Sequence, residues 1–232
     1  MGSNGNKVSN GIEQIVYVDT ETTGLLAHHD VFEIAMIKGD EEIILWLPAD
    51  LSKADPDALR INRFYERQKE GYEKHGTKGE EGAWKIAEFT SGCTLAGVVP
   101  SFDVNMTSGF LLKYGLKPAW NYWMRDVVTF AAGALGLRGK TNSKIVSETL
   151  GVAMPDNSEV HTALGDARWA KRIDTKAMEL TSEEHRKSDL EEKLFALLRD
   201  EGFDETEKKL KETAARWASK LIVQAAPVKA SA

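Results

Sequence analysis

Two carboxylates stand two residues apart inside an apolar, β-branched stretch near the start of the chain. The stretch runs over residues 15–25, and the carboxylates are those of Asp19 and Glu21. If the stretch is a strand, both side chains point to the same face, with their Cα atoms about 6.5–7 Å apart. Two negative charges at that separation repel each other unless a cation lies between them, and Mg²⁺ or Mn²⁺ prefers such oxygen ligands. The pattern indicates a metal site, and a solvated strand end is the alternative.

Two more carboxylates and a histidine follow in the sequence. Asp166, Ala170 and Ile173 recur at the spacing of one helix face. Five helical residues turn through about 500°, so His161 leaves that face and is predicted on the loop before the helix. Asp103 follows a short apolar stretch and is predicted to begin another helix. Taken singly, His161 is more typical of a surface histidine, and Asp103 of an acidic residue at a helix start, than of a catalytic site.

The order of these groups resembles the DEDDh family of 3′-to-5′ exonucleases. The resemblance covers residues 13–173 and is carried by Asp-Thr-Glu-Thr-Thr-Gly-Leu at 19–25, Phe-Asp at 102–103 and His-x4-Asp at 161–166. It implies an α/β fold, a ribonuclease H-like mixed sheet flanked by helices, here with a C-terminal helical extension. The order of predicted elements, strands first and then strands alternating with helices, also favours a mixed sheet.

The resemblance also implies roles for the five groups. Asp19, Glu21, Asp103 and Asp166 would hold two Mg²⁺ or Mn²⁺ ions, and His161 would take the proton of the attacking water. The activity implied is the release of nucleoside 5′-monophosphates from 3′ ends, with single-stranded DNA preferred over RNA. An enzyme that trims RNA or degrades oligoribonucleotides is one alternative. A non-catalytic protein that binds a replication or repair partner is another.

The residues after the glutamate are candidates for the pocket of the terminal nucleotide. In the DEDDh family this segment contacts the 3′ sugar and base, which here gives Thr22, Thr23, Gly24 and Leu25. Backbone amides at a glycine turn allow close approach, and a leucine offers an apolar surface to a base. For Leu25, an ordinary place in the core is an equal alternative.

Three other residues are predicted to contact substrate. Phe64 and Tyr65 lie among basic residues in a charged helical segment, a composition that could stack on and neutralise a single strand. Covering the sheet is the alternative for both. Ser101 stands where many DEDDh relatives carry Asn, and it lacks the paired donor and acceptor of an amide. The position of the substrate strand near Asp103 is therefore left open.

Hydrophobic periodicity and turn signals predict the elements that position these groups. Strands are predicted at 13–20, 31–38, 41–47, 94–99 and 120–125, and helices within 55–90 and at 103–114, 127–135, 143–150 and 162–180. The turn-like residues 38–41 predict an antiparallel hairpin between the second and third strands.

Four regions are predicted along the chain. They are a flexible leader at 1–10, an exonuclease domain at 11–180, a helical hairpin at 181–223 and a disordered tail at 224–232. A capping-box pattern over 181–184 predicts the start of the hairpin. We expect the hairpin to pack on the exonuclease domain, and docking of a polymerase or another protein is the alternative.

Composition limits the classes of protein to consider. The 232 residues carry a net charge of −6, so bulk positive charge does not drive nucleic-acid binding and we expect modest affinity for long nucleic acid. No apolar stretch is long enough to cross a membrane. The single cysteine, Cys93, excludes a disulfide framework and predicts a reducing, cytoplasmic location.

Overall fold

The computed structural model describes residues 14–139, 141–200 and 207–225. The described residues up to Lys176 form one compact unit, and those from Ala177 onward form a second. The sequence predicts the start of the hairpin at residue 181. The predicted leader lies outside the described residues.

A five-stranded mixed sheet is the centre of the first unit. Its strands are β1 (Ile15–Thr22), β2 (Val31–Lys38), β3 (Glu41–Trp46), β4 (Thr94–Gly97) and β5 (Arg125–Asp126), in the order β3-β2-β1-β4-β5. The β1–β2 and β2–β3 pairs are antiparallel, which confirms the predicted hairpin, and the β1–β4 and β4–β5 pairs are parallel. In this register Glu21 lies opposite Glu33.

Helices flank the sheet. They are α1 (Pro56–Ile61), α2 (Phe64–His75), α3 (Gly79–Thr90), α4 (Pro100–Lys113), α5 (Val127–Ala134), α6 (Ser143–Leu150) and the part of α7 (Ala163–Asp200) up to Lys176, while the rest of α7 and α8 (Glu207–Ala225) belong to the second unit. α4 begins three residues earlier than predicted, since Pro100 occupies its first turn, where a missing N–H costs nothing.

Side chains alternate between the two faces of β1. Val16 and Val18 enter the main apolar core, with Ile34 of β2 and Ile86 of α3. On the opposite face, the buried hydroxyl of Tyr17 donates to Asp174 Oδ2 of α7 at 2.8 Å. Asp19 and Glu21 follow on that second face. β1 therefore presents apolar side chains to the core and carboxylates at its carboxyl end.

The predicted strand at 120–125 is wrong for most of its length. Only its last residue pairs, in β5, and Tyr122 and Trp123 are 87% and 77% exposed. Aromatic residues favour strands mainly because strands offer packing partners. Here the rings contact each other instead, at 5.5 Å between centroids.

The predicted helix start at 181–184 is also wrong, because α7 continues through it without a break. The hydroxyls of Thr181 and Ser182 donate to carbonyls one turn earlier, those of Met178 and Glu179, at 3.0 and 2.9 Å. Such bonds satisfy the hydroxyls inside a helix rather than at its cap.

The second unit holds the end of α7 and all of α8. Leu198, Leu210 and Ala214 form its buried cluster, with Leu194 and Phe195 packed against them. α8 extends to Ala225, past the predicted start of the tail at residue 224. The tail from 226 onward lies outside the described residues. In the described parts of the chain, no helix combines the length and apolarity needed to cross a membrane.

Candidate functional site

Three acidic side chains converge at the carboxyl end of β1. Asp19, Glu21 and Asp166 each place an oxygen so that the three atoms lie within 4.8 Å of one another. β1 supplies the first two because residues two apart share a face, and the first turn of α7 supplies the third. The structure therefore brings together three of the four predicted ligands in one group.

The electrostatics of this group favour a cation. Burial raises the pKa of Asp19 well above its ordinary value, and the nearby charges of Asp103, Glu21, Asp166 and Glu33 raise it further. The pKa of Glu21 is raised by burial and then by Glu33 and Asp166. Burial also raises the pKa of Asp166, against the opposing charge of His161. Carboxylates that repel one another at this separation are stabilised by a shared positive charge.

Asp103, the fourth predicted ligand, approaches from α4 and is held by β1. Its Oδ1 accepts hydrogen bonds from the N–H of Thr20 at 2.9 Å and from the Thr20 hydroxyl at 2.7 Å. Burial raises the pKa of Asp103 to about 7, although both bonds act in the opposite direction. Its charge contributes to the raised pKa of Asp19, so it belongs to the same electrostatic group while standing outside the set of three oxygens.

The donor set suits a hard divalent ion. Carboxylate oxygens are the ligands of Mg²⁺ and Mn²⁺, whereas thiolate and imidazole ligands favour softer metals. Asp19, Glu21 and Asp166 could hold such an ion directly, and Asp103 lies beside them. The residues present therefore fit the metal chemistry that the sequence predicts.

His161 lies on the loop before α7, as predicted, and is exposed. Its backbone adopts a left-handed conformation, with φ 55°, which is uncommon outside glycine. The His161 N–H donates to Asp166 Oδ2 at 3.2 Å. This bond ties the backbone of the histidine to one of the three clustered carboxylates.

A glycine allows the loop to pack onto the first turn of α7. A Cβ at Gly165 would lie 2.3 Å from the carbonyl oxygen of Glu159 and 2.8 Å from Thr162 Oγ1. Thr162 caps the helix, since its hydroxyl accepts from the Gly165 N–H at 3.1 Å and donates to the Glu159 carbonyl at 2.7 Å. The spacing between His161 and Asp166 thus includes a position where only glycine fits without displacement.

The turn after Glu21 contains the predicted nucleotide contacts, beginning with Thr22 and Thr23. Thr22 and Thr23 are 4% and 0% exposed. The Thr22 hydroxyl donates to the Gly24 carbonyl at 2.7 Å, and the Thr23 hydroxyl accepts from the Asp30 N–H at 2.9 Å. These side chains hold the turn, and contact of this segment with a nucleotide stays a prediction for its backbone amides.

Gly24 and Leu25 differ sharply in exposure. Gly24 is buried, and a Cβ there would lie 2.3 Å from the ring of His29, so the glycine is needed for that ring to pack. Leu25 is 77% exposed, which excludes the core alternative. Of these four predicted contacts, Leu25 alone presents its side chain outward.

The two candidate substrate contacts in α2, Phe64 and Tyr65, differ in exposure. Phe64 is 2% exposed and packs with Phe32, Trp46 and Leu59. Its ring covers the sheet, which is the alternative stated for this residue, and it is not presented to solvent. Tyr65 is exposed and remains a candidate. Ser101 is likewise exposed, in the first turn of α4.

A cavity of about 460 Å³ adjoins Leu25. It lies between the loop after β1 and one face of α4. Its lining residues are Leu25, Ala27, His28, His29, Asp30, Val31, Phe102, Asn105, Met106, Gly109, Phe110 and Lys113. Phe102, beside Asp103 in sequence, was missed as a candidate contact, and its place next to a predicted metal ligand is the signal that could have identified it.

Sequence reasoning also missed a buried ion pair beside the carboxylates. Arg67 of α2 bonds Glu33 of β2, and both side chains are largely buried. A lone acid inside the apolar strand Val31–Lys38 was the available signal, because such a residue is rarely buried without a partner. The Arg67 charge opposes the rise in the pKa of Glu21.

Comparison with known proteins bears on the fold. No family model and no curated protein matches the sequence of this chain. Among solved structures, the zinc-bound complex of E. coli ExoI with single-stranded DNA aligns with a TM-score of 0.56 and 21% identity, over 80% of this chain and 45% of that chain. Exonuclease I from Methylocaldum szegediense aligns with a TM-score of 0.58 and 19% identity, over 81% and 46%.

This chain therefore spans less than half the length of these exonucleases. The likeness confirms the predicted fold, a ribonuclease H-like mixed sheet flanked by helices. At this level of identity it establishes the fold alone.

Proposed function

We propose that the chain is a metal-dependent 3′-to-5′ exonuclease of the DEDDh type. It hydrolyses phosphodiester bonds at 3′ ends of DNA, preferably single-stranded, and releases nucleoside 5′-monophosphates. The observation that carries the proposal is the convergence of Asp19, Glu21 and Asp166 within 4.8 Å, with Asp103 and His161 beside them. No single one of these features would support the assignment alone.

Each residue has a role that its chemistry supports. Asp19, Glu21 and Asp166 would hold Mg²⁺ or Mn²⁺, two ions in the proposed mechanism, and Asp103 beside them would assist. When bound, a pair of divalent ions activates water and offsets the charge that develops on the leaving 3′ oxygen. His161 would accept the proton of that water, and its exposed place on a loop gives it access to a substrate bound at the cluster.

The surroundings of the cluster fit a nucleic-acid end. Leu25 offers an exposed apolar surface, and Phe102 lines the adjoining cavity, which is large enough for a nucleobase. Apolar and aromatic side chains stack on bases without requiring a particular sequence. Lys113, which also lines the cavity, carries a positive charge, and its Nζ lies 3.3 Å from Asp30 Oδ1. DNA is the preferred substrate because the similar ExoI structures hold single-stranded DNA.

The direct test uses the purified full chain and single strands of matched DNA and RNA sequence. With a 5′ label and Mn²⁺ or Mg²⁺, we expect a ladder of progressively shorter DNA products, and no products with chelator. With a 3′ label, the first product should be the labelled mononucleotide. A ladder on RNA alone would assign the RNA-trimming alternative, and no ladder on either would contradict the proposal.

A matched pair of variants excludes a contaminating nuclease. Asp19→Asn removes a clustered carboxylate and should abolish cleavage. Glu70→Gln removes an exposed carboxylate of α2, whose pair with Lys74 contributes little to stability, and should leave the rate unchanged. Equal activity in the two variants would assign the cleavage to another protein.

A protein partner stays a prediction. Within the second unit, Leu197, Trp217 and Leu221 are exposed.

A further inference from the structure

Arg63 lies at the start of α2 and donates hydrogen bonds to the loop that carries His161. We call residues 156–162 the histidine loop. Nη1 of Arg63 donates to the Asn157 carbonyl at 3.0 Å, and Nη2 donates to the carbonyls of Ser158 and Val160 at 3.0 and 2.9 Å. One guanidinium thus contacts three peptide groups of a five-residue stretch that ends at His161.

Arg67, one helical turn further along α2, also bonds this loop. Its Nη1 donates to the carbonyl of His161 at 3.1 Å, and its Nη2 bonds the buried Glu33. Since the N–H of His161 is bonded to Asp166, both peptide groups flanking the histidine Cα are held. Arg63 is the N-cap of α2 and its carbonyl accepts from the Arg67 N–H at 3.1 Å, which keeps the two side chains close enough to bond the same loop.

The base of this arrangement is anchored next to the clustered carboxylates. Asn62 donates from its side chain to the carbonyl of Thr22 at 3.2 Å, and its own carbonyl accepts from Arg67 at 3.1 Å. Thr22 follows Glu21 directly in β1. The contacts therefore form a continuous connection from the strand that bears two carboxylates to the loop that bears the histidine.

Backbone strain coincides with this connection. Among the described residues other than glycine, Arg63 and His161 have a positive φ, of 50° and 55°. Such conformations cost energy and persist where surrounding contacts impose them. Here the contacts are those of the two arginines, so the strained residues are the two ends of one network.

We propose that Arg63 and Arg67 form a clamp that positions His161 for proton transfer at the carboxylate cluster. The proposal rests on the proposed function and adds two positioning residues to it, neither of which touches the reacting atoms. Arginine suits the task because its planar fork of five donors can satisfy several carbonyls at once, which a lysine ammonium on a flexible stem cannot do in the same geometry.

Arg63→Lys is the most specific test of the clamp. The three hydrogen bonds of the Arg63 side chain described above all go to the histidine loop, whereas Arg67 also neutralises Glu33. Misplacement of a catalytic group by about 1 Å costs roughly 100-fold in rate. We expect Arg63→Lys to lower kcat by about that factor, with KM and the dissociation constant for Mn²⁺ changed less than about twofold, because it leaves Asp19, Glu21 and Asp166 in place. Hydrogen exchange of the amides at 157–161 should become faster.

A double-mutant cycle separates positioning from general damage. If Arg63 acts through His161, Arg63→Lys should have almost no further effect in a His161→Ala background, since coupled residues are not additive. Arg60→Lys, on the exposed face of α1, is the matched control and should behave as wild type. Equal losses in both backgrounds, or unchanged kcat in an active protein, would overturn the clamp. An inactive wild-type protein would instead contradict the proposed function.

Discussion

Thr20 and Asp103 lie 83 residues apart in the sequence and are joined by two hydrogen bonds. The N–H and the hydroxyl of Thr20 both donate to the same oxygen, Oδ1 of Asp103. Thr20 stands between Asp19 and Glu21 but faces the other side of the sheet, so one strand supplies two carboxylates to the cluster and orients a third from α4.

Thr20→Val keeps the shape of the side chain and removes the hydroxyl. Asp103 then loses one of its two donors in a buried setting, which should cost about 1–3 kcal/mol in the free energy of unfolding. Because residues that orient metal ligands are typically worth about 10- to 100-fold, we expect a loss of that size in metal affinity or kcat. Urea unfolding and calorimetric Mn²⁺ titration measure the two effects. Thr20→Ser keeps the donor and should retain most of both, and a loss equal to that of Thr20→Val would refute the role of the hydroxyl.

The stability of the metal-free protein should depend on pH in an unusual direction. Burial raises the pKa of Asp103 to about 7 and raises the pKa values of Asp19, Glu21 and Asp166 above the 3.8 or 4.5 of unperturbed groups. Between about pH 4 and 7 the folded protein therefore binds more protons than the unfolded chain, so the free energy of unfolding falls as the pH rises.

We expect the melting temperature in chelator to decrease from about pH 5 to about pH 8, with a smaller decrease for Asp19→Asn, which removes one of the repelling charges. Adding Mg²⁺ at the higher pH should raise the melting temperature of the wild type and have little effect on the variant. Differential scanning calorimetry gives both comparisons. Identical pH dependence in the two proteins would show that these carboxyl groups do not carry the effect.

Gly165→Ala should destabilise the protein, although alanine normally stabilises a helix by about 1 kcal/mol relative to glycine. The added Cβ would lie 2.3 Å from the Glu159 carbonyl oxygen, so the histidine loop must move. We expect a loss of about 1–3 kcal/mol, the range for overpacking, together with a lower kcat. Gly133 of α5 has open space around its Cβ position, and Gly133→Ala should stabilise by about 0.5–1 kcal/mol. A stabilised Gly165→Ala variant with normal kcat would contradict the close packing of the loop.

Leu25→Ala tests the apolar surface beside the cluster. Stacking of a base is worth about 1–3 kcal/mol, so KM for a short oligonucleotide should rise by at least about fivefold. The Mn²⁺ dissociation constant should stay the same because Leu25 holds no ligand. Leu26, also exposed, does not line the cavity, and Leu26→Ala serves as the control with KM within about twofold of wild type. Equal KM values for the two variants would remove Leu25 from the substrate site.

Local sequence patterns are enough to predict those features of the site that depend on a single strand or helix. The strand parity of Asp19 and Glu21 follows from their spacing, and the bounds of β2 and α6 match the predicted ranges. The place of His161 on a loop follows from the turn per residue of a helix. In each case the physical cause lies within a few residues of the feature.

The other features of the site depend on packing between residues that are far apart in the sequence, and local sequence patterns do not predict that packing. Phe64 and Tyr65 are neighbours of the same chemical type, yet one is buried under β2 and β3 and the other is exposed, because adjacent helical residues face different directions. The bonds from Arg63 to the histidine loop join residues more than ninety positions apart. Neither periodicity nor motif spacing contains such pairings.

Anomalous diffraction from crystals of the full chain soaked in Mn²⁺ would locate any ion bound at the clustered carboxylates. We expect Mn²⁺ bound by oxygens of Asp19, Glu21 and Asp166 at about 2.2 Å, a normal metal–oxygen distance, and loss of that signal in Asp19→Asn crystals soaked in the same way. A wild-type crystal with no Mn²⁺ at these oxygens, or with Mn²⁺ bound only elsewhere, would contradict the proposed metal site.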